Sequence, residues 1–202
     1  VCGRLCRELG DGYYLMSNFI RSYTDAMPDD LCDTLIAWFD QAEDVRIEEA
    51  NRLTRKDKQK WLTFNENSDL YTRVQKVKYD MMHRYLTEFP FCYRGTKKLV
   101  SPDVKVQSTP PFGGGFHNWH SEVCNWENMS RCLVWTFYLN DIELDEGETE
   151  FLYEKMRVRP RKGLGCMFPA GWTFQHRGNP VHSATKYMAT GWWHYPEEKL
   201  LK

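Results

Sequence analysis

After Pro102 the chain breaks into short β-favouring runs, and this constrains its fold more than any other feature. The runs are Val104–Ser108, Cys132–Leu139, Thr149–Tyr153, Met156–Arg159, Leu164–Phe168 and Tyr187–His194. Glycine or proline interrupts them at Pro110-Pro111, Gly113-Gly114-Gly115, Gly147, Pro160, Gly163, Pro169-Ala170-Gly171 and Gly178-Asn179-Pro180. Strands this short bury apolar surface only by stacking two sheets, so the pattern predicts a sandwich or jelly roll.

The first half reads differently. Pro28-Asp29-Asp30 opens a helix with acids at the positive end of its dipole, and Leu31, Leu35, Ile36, Trp38 and Phe39 carry it over about 29–43. A second helix is predicted from the capping residues Ser68-Asp69 to about Glu88, with Leu70, Val74, Val77, Met81, Tyr85 and Leu86 as one apolar stripe. Helices followed by strands imply an α+β fold with the helices packed outside one sheet. Tyr13-Tyr14-Leu15 and Phe19-Ile20 are candidate edge strands. The charged stretch 43–60 reads as a solvated loop or helix face, or as a flap that brings a basic side chain over a site.

With 202 residues, the chain fits one domain: 1–100 as helical buttress and edge strands, 101–196 as the core. The 27 basic and 28 acidic residues nearly cancel, so no global field draws it to nucleic acid, which is disfavoured as a partner. Seven scattered cysteines lack metal-binding spacing and suggest free thiols in a reducing, cytoplasmic setting. No apolar run approaches the roughly 20 residues of a membrane span. Val1 is not an initiator Met, so a trimmed chain is expected.

His120 and Glu122, two apart, fall on one side of an extended strand, and His176 follows far downstream. Two imidazoles and a carboxylate suit a facial ferrous site with open positions, although zinc, manganese, cobalt or nickel can occupy the same set. His117, three before His120, would face the opposite side, and His176 is preferred over His182 as the third ligand. His83 and His194 read as structural or exposed.

These residues appear in a longer ordered pattern. It runs through His120-Ser121-Glu122, Arg131-Cys132-Leu133, Tyr138-Leu139-Asn140-Asp141, Gly147-Glu148-Thr149-Glu150-Phe151, Phe168-Pro169, His176 to Val181 and Lys186-Tyr187. From about Gly113 to Trp192 it resembles the prolyl 4-hydroxylase-like group of 2-oxoglutarate and Fe(II)-dependent dioxygenases. The resemblance implies a double-stranded β-helix (jelly roll, cupin-like) core and an iron site at His120, Glu122 and His176. It further implies 2-oxoglutarate and O₂ as co-substrates, with ascorbate as a supporting reductant, and hydroxylation of a C–H bond with release of succinate and CO₂. Lys186, ten residues after His176, matches the residue that receives the 5-carboxylate of 2-oxoglutarate. Tyr138 matches a tyrosine on that carboxylate, and Trp192 an aromatic of the pocket wall; core packing accounts for either equally well. Thr149 is a further hydroxyl candidate. Glu122 departs from the usual Asp, which leaves open a metal-binding β-module without turnover or a cupin-like enzyme that takes no 2-oxoglutarate. The expected substrate is a prolyl or other peptide side chain, or else a free amino acid or small molecule. Candidates near the mouth are His117, Asn118, Trp119, Trp126, Arg131, Arg177 and the run Arg55 to Lys60.

Overall fold

The computed structural model describes residues 18–48, 55–90, 99–143 and 145–196, and the backbone of two short paired strands before them, β1 (Cys6–Glu8) and β2 (Tyr13–Leu15). The order continues with β3 (Arg21–Tyr23), α1 (Asp29–Asp40), β4 (Arg46–Glu48), β5 (Arg55–Trp61) and α2 (Ser68–Glu88). Then come β6 (Lys105–Thr109), β7 (Gly115–Phe116), β8 (Arg131–Tyr138), β9 (Thr149–Phe151), β10 (Met156–Val158), β11 (Gly165–Pro169), β12 (His176–Gly178) and β13 (Lys186–His194).

A large antiparallel sheet has the order β3-β11-β8-β13-β6-β5-β4, and a small one the order β10-β9-β12. The small sheet, with β7, closes over the inner face of the large one, giving the jelly roll that the spacing of turns predicts.

Alternation along the central strands assigns each face its partner. Leu133, Trp135 and Phe137 of β8 and Ala189 and Trp193 of β13 pack outward against Leu31, Leu35 and Phe39 of α1 and Leu70, Val74, Met81 and Tyr85 of α2. Val134 and Tyr138 of β8, with Trp192 of β13, face inward onto Phe151, Cys166 and Phe168. The helices therefore cover one face of the large sheet, as expected, and leave the other to build a site.

Three local expectations change. α1 stops at Asp40, whose carboxylate accepts the Tyr187 hydroxyl (2.9 Å), and the chain turns there to enter β4. α2 is capped one residue earlier than predicted, by Asn67, whose side chain accepts from the amide of Leu70 (3.0 Å). Within the stretch 43–60 the described residues 46–48 and 55–60 are strand rather than loop or helix face: β4 and β5 pair antiparallel at the edge of the large sheet, with Lys58 opposite Ser108 and Trp61 opposite Lys105. Its inward residues include Arg55 and Asp57, so the period-2 apolar signal is absent. At the other edge the strand is Arg21–Tyr23, just after Phe19-Ile20, while Tyr13–Leu15 pairs with β1. Among the described residues Cys32, Cys124, Cys132 and Cys166 are free thiols, and no helix is long and apolar enough to cross a membrane.

Candidate active site

His120 lies just after β7 and His176 opens β12, and their backbones pair: each amide donates to the other's carbonyl, at 3.0 and 2.9 Å. Glu122 follows at a bend where its amide and that of Val123 both donate to the carbonyl of Ala170 (3.1 Å each). The ligand atoms that these three side chains offer all lie within 4.8 Å of one another. Glu122 Oε1 is 3.8 Å from His120 Nε2 and 3.6 Å from His176 Nε2.

Hydrogen bonds around the cluster set which atoms are left over. Nδ1 of His120 meets the carbonyl of Asn118 (2.9 Å), and Nδ1 of His176 that of Phe174 (3.0 Å). A carbonyl only accepts, so each Nδ1 carries the proton and each Nε2 keeps a lone pair turned toward Glu122. The other oxygen of Glu122, Oε2, accepts from Arg131 (3.1 Å), leaving Oε1 in the cluster. Burial, reinforced by the neighbouring His176, pushes His120 down to about 4, so its ring is neutral at pH 7. Burial works against the Glu122 carboxylate, yet the hydrogen bond and charge of His176, then His120 and Lys105, hold it at about 2. Two imidazoles and one carboxylate therefore converge, the donor set that suits a divalent metal. The extra methylene of Glu122 does not withdraw its oxygen from the cluster.

The cluster opens into a cavity of about 290 Å³ between the two sheets. From the large sheet it is lined by Lys105, Gln107 and Thr109 of β6, Val134 and Thr136 of β8, and Lys186, Met188, Thr190 and Trp192 of β13. From the small sheet come Thr149, Arg177 and Gly178. Lys186 is almost fully buried, and Nζ donates to the carbonyl of Gly147 (2.6 Å). Burial lowers its pKa to about 8 against the opposing pull of Glu148, so it remains an ammonium at neutral pH with two further donors. Gly147 holds that carbonyl at a φ of +67°, in the left-handed region that favours glycine.

Tyr138 does not line the cavity directly. Its hydroxyl pairs with that of Thr149 (2.7 Å), which does, so the two act as one relay at the Lys186 end. Trp192 lines the wall beneath Arg131, whose guanidinium carbon is 3.7 Å from its ring centre.

The remaining histidines lie outside the cluster. His117 bonds the carbonyls of Gly178 and Gly113, His194 meets Ser130 and Asp103, and His83 and His182 are exposed. Of the candidates near the mouth, Arg131 and Arg177 line the cavity, Arg55 alone is there from the basic positions of the 55–60 run, and Trp126 is exposed. Sequence reasoning passed over Lys105 and Gln107. The signal was present in Val104-Lys105-Val106-Gln107, where polar residues hold one face of a strand whose other face is apolar.

Comparison with known proteins agrees with this geometry. Residues 105–194 match the model of the 2OG-Fe(II) oxygenase superfamily. None of the curated proteins matches the chain. A viral collagen prolyl hydroxylase from Paramecium bursaria Chlorella virus-1, solved with 2OG, is similar in fold at a TM-score of 0.68 and 21% identity, over 89% of this chain and 97% of that one. A Pseudomonas putida prolyl-4-hydroxylase gives 0.68 and 20%, over 91% and 96%. A Trichoplax adhaerens prolyl hydroxylase, solved with a peptide fragment of the hypoxia inducible factor oxygen degradation domain, gives 0.73 and 17%, over 92% and 88%. Residues 105–194 thus match the 2OG-Fe(II) oxygenase superfamily, and the chain as a whole has the fold of the prolyl hydroxylases.

Proposed function

We propose that the chain hydroxylates a C–H bond of a peptide or protein side chain, a prolyl residue foremost, and that residues 1–202 act as one catalytic unit. In this reading His120, Glu122 and His176 hold Fe(II), and Lys186 with the Thr149–Tyr138 hydroxyl pair holds the 5-carboxylate of 2-oxoglutarate. The observation that carries it is the cavity itself: three convergent ligand atoms open onto it, and a buried ammonium with two unused donors lines it. A metal-binding module without turnover gives no reason to bury Lys186, since an unpaired buried ammonium is costly.

The chemistry supplied by the bound metal and co-substrate is oxidative: 2-oxoglutarate is decarboxylated to succinate, and one oxygen atom of O₂ enters the C–H bond. The protein's own contribution is positional. The Nδ1 bonds orient the imidazoles, Arg131 holds one oxygen of Glu122, and Lys186 orients the co-substrate from its far carboxylate. The peptide class is supported by the Trichoplax relative, which was solved with a peptide fragment. The polar wall formed by Arg55, Asp57, Lys105 and Gln107 favours a free amino acid or other small molecule as the second reading.

Anaerobic titration of the Fe(II) protein with 2-oxoglutarate tests the assignment. A saturable visible charge-transfer band is expected, with Lys186→Ala weakening binding by roughly 10- to 100-fold, the range for losing charge-assisted hydrogen bonds. Unchanged affinity in that variant would remove Lys186 from the co-substrate site.

A further inference from the structure

Counting charges around the cavity leaves one cation over. Arg131 pairs with Glu122 (3.1 Å), Arg55 with Asp57 (3.2 Å) and Arg177 with Glu150 (2.7 Å), while Lys186 is assigned to the co-substrate. Lys105 makes no hydrogen bond or ion pair through its ammonium among the described residues, although the charges of Glu122 and Asp57 lie near enough to act on it. Its ammonium rests over ring faces instead, 5.0 Å from the centre of Trp192 and 5.9 Å from that of Trp61. Two buried donors of neighbouring side chains, Nε1 of Trp192 and Nε of Arg131, also lack an acceptor there. This wall therefore has more donors and positive charge than its own acceptors satisfy.

Strand register places Lys105 away from the co-substrate end. Lys186 pairs with Thr109, and Thr190 with Lys105. The two lysines are thus four residues apart along the paired strands, roughly 13 Å at the usual rise. A metal of charge +2 and a dianionic co-substrate cancel, so loading the site leaves Arg55, Arg131, Arg177, Lys105 and Lys186 against only Asp57, Glu122 and Glu150, and the excess of positive charge remains. A half-buried ammonium between two ring faces is stabilised by an anionic ligand.

Building on the hydroxylase reading above, we propose that Lys105 anchors a carboxylate of the substrate, so that the hydroxylated residue carries or directly adjoins an acidic group. Arg55, held in place by Asp57 (3.2 Å) and by the Phe116 ring (4.8 Å), adds a second positive charge to the same cavity. Gln107 donates to the same Asp57 (2.9 Å), so that carboxylate is shared between Gln107 and Arg55. The acid has two possible sources: the α-carboxylate of a free amino acid, or an Asp or Glu beside the target residue of a peptide.

The test is substrate-stimulated succinate release with matched probes. One arm compares L-proline and other free amino acids with their amides. The other compares proline-containing peptides bearing Asp or Glu beside the proline with their Asn or Gln counterparts. The acidic member of a pair is expected to stimulate turnover with an apparent KM at least about tenfold below that of its neutral partner, as for one charge-assisted contact. Lys105→Met should abolish the preference and Lys105→Arg should retain part of it. The responding arm identifies the source of the carboxylate. Equal stimulation by neutral partners, a preference that survives in Lys105→Met, or no response to any acid overturns the proposal. The 2-oxoglutarate titration of the wild-type protein separates the two levels: without binding the hydroxylase reading itself falls, whereas binding without acid preference removes only the role of Lys105.

Discussion

Glu122 is held as firmly by what surrounds the cluster as by the cluster itself. Arg131 grips Oε2 (3.1 Å) and lies flat on Trp192, so its reach to Glu122 is set by packing. Replacing it by Gln should leave the fold intact and weaken metal affinity about 10- to 100-fold, the usual effect of losing a ligand's supporting bond, as read by Mn(II) or Co(II) titration. Unaltered affinity would show that Glu122 holds its place unaided. Gly147 offers a second check at this scale. A Cβ there would sit 3.2 Å from Val181 and 3.3 Å from Ile142 on a backbone that already strains an L side chain, so Gly147→Ala should cost about 1–2 kcal/mol in urea unfolding and also weaken 2-oxoglutarate binding. The pairing of His120 with Glu122 was legible in the sequence because an offset of two has geometric meaning, whereas His176 and Lys186 stood out through the resemblance to the dioxygenase group. Arg131's bond to Glu122 was not, since the nine-residue separation implies no contact, and the alternation around Lys105 marked a polar strand face without showing what that face meets, which register decides.

At the level of elements, α2 carries a buried cation with no part in the site. Lys78 lies between the rings of Trp135 and Trp193 and donates to the carbonyl of Ser101. Burial pulls its pKa down to about 7, with Asp103 opposing. Because the folded value lies below the unfolded one of 10.5, unfolding takes up a proton between these limits. The lysine's penalty is therefore full below pH 7 and fades as pH rises through that window. Lys78→Met should stabilise the protein by roughly 1–3 kcal/mol at pH 6, after allowing for the lost bond to Ser101, with the gain shrinking toward pH 10. A gain independent of pH in urea unfolding would contradict the assignment. The N-terminus of the same helix depends on Asn67, and Asn67→Ala should cost about 1 kcal/mol. Both helices were readable because their apolar stripes face a sheet. β5 was not, because Arg55 and Asp57 on its inner face belong to a cavity and the hydrophobic alternation that marks a strand is missing.

Across the whole molecule, one large sheet separates two functions. Its outer face is committed to the helices and its inner face to the cavity, so substitutions on opposite sides of β8 should report different properties. Trp135 variants should chiefly lose stability, and Thr136 variants chiefly change ligand response. Metal binding only to the folded state should raise the unfolding midpoint. At a hundredfold excess over Kd the linkage is about 2.7 kcal/mol, or roughly 5–10 °C for a chain of this size. Mn(II) should produce that rise in the wild-type protein and not in Glu122→Ala, by calorimetry. An equal rise in both would place the metal elsewhere.

The paired backbones of His120 and His176 have a further consequence. Two of the three ligands are joined through the main chain before any ion arrives, so loading need not gather distant segments. Their amides should already be protected from deuterium exchange in the metal-free protein, and an ion lost to a chelator should be replaceable without refolding. The site is thus assembled ahead of the ion it would hold.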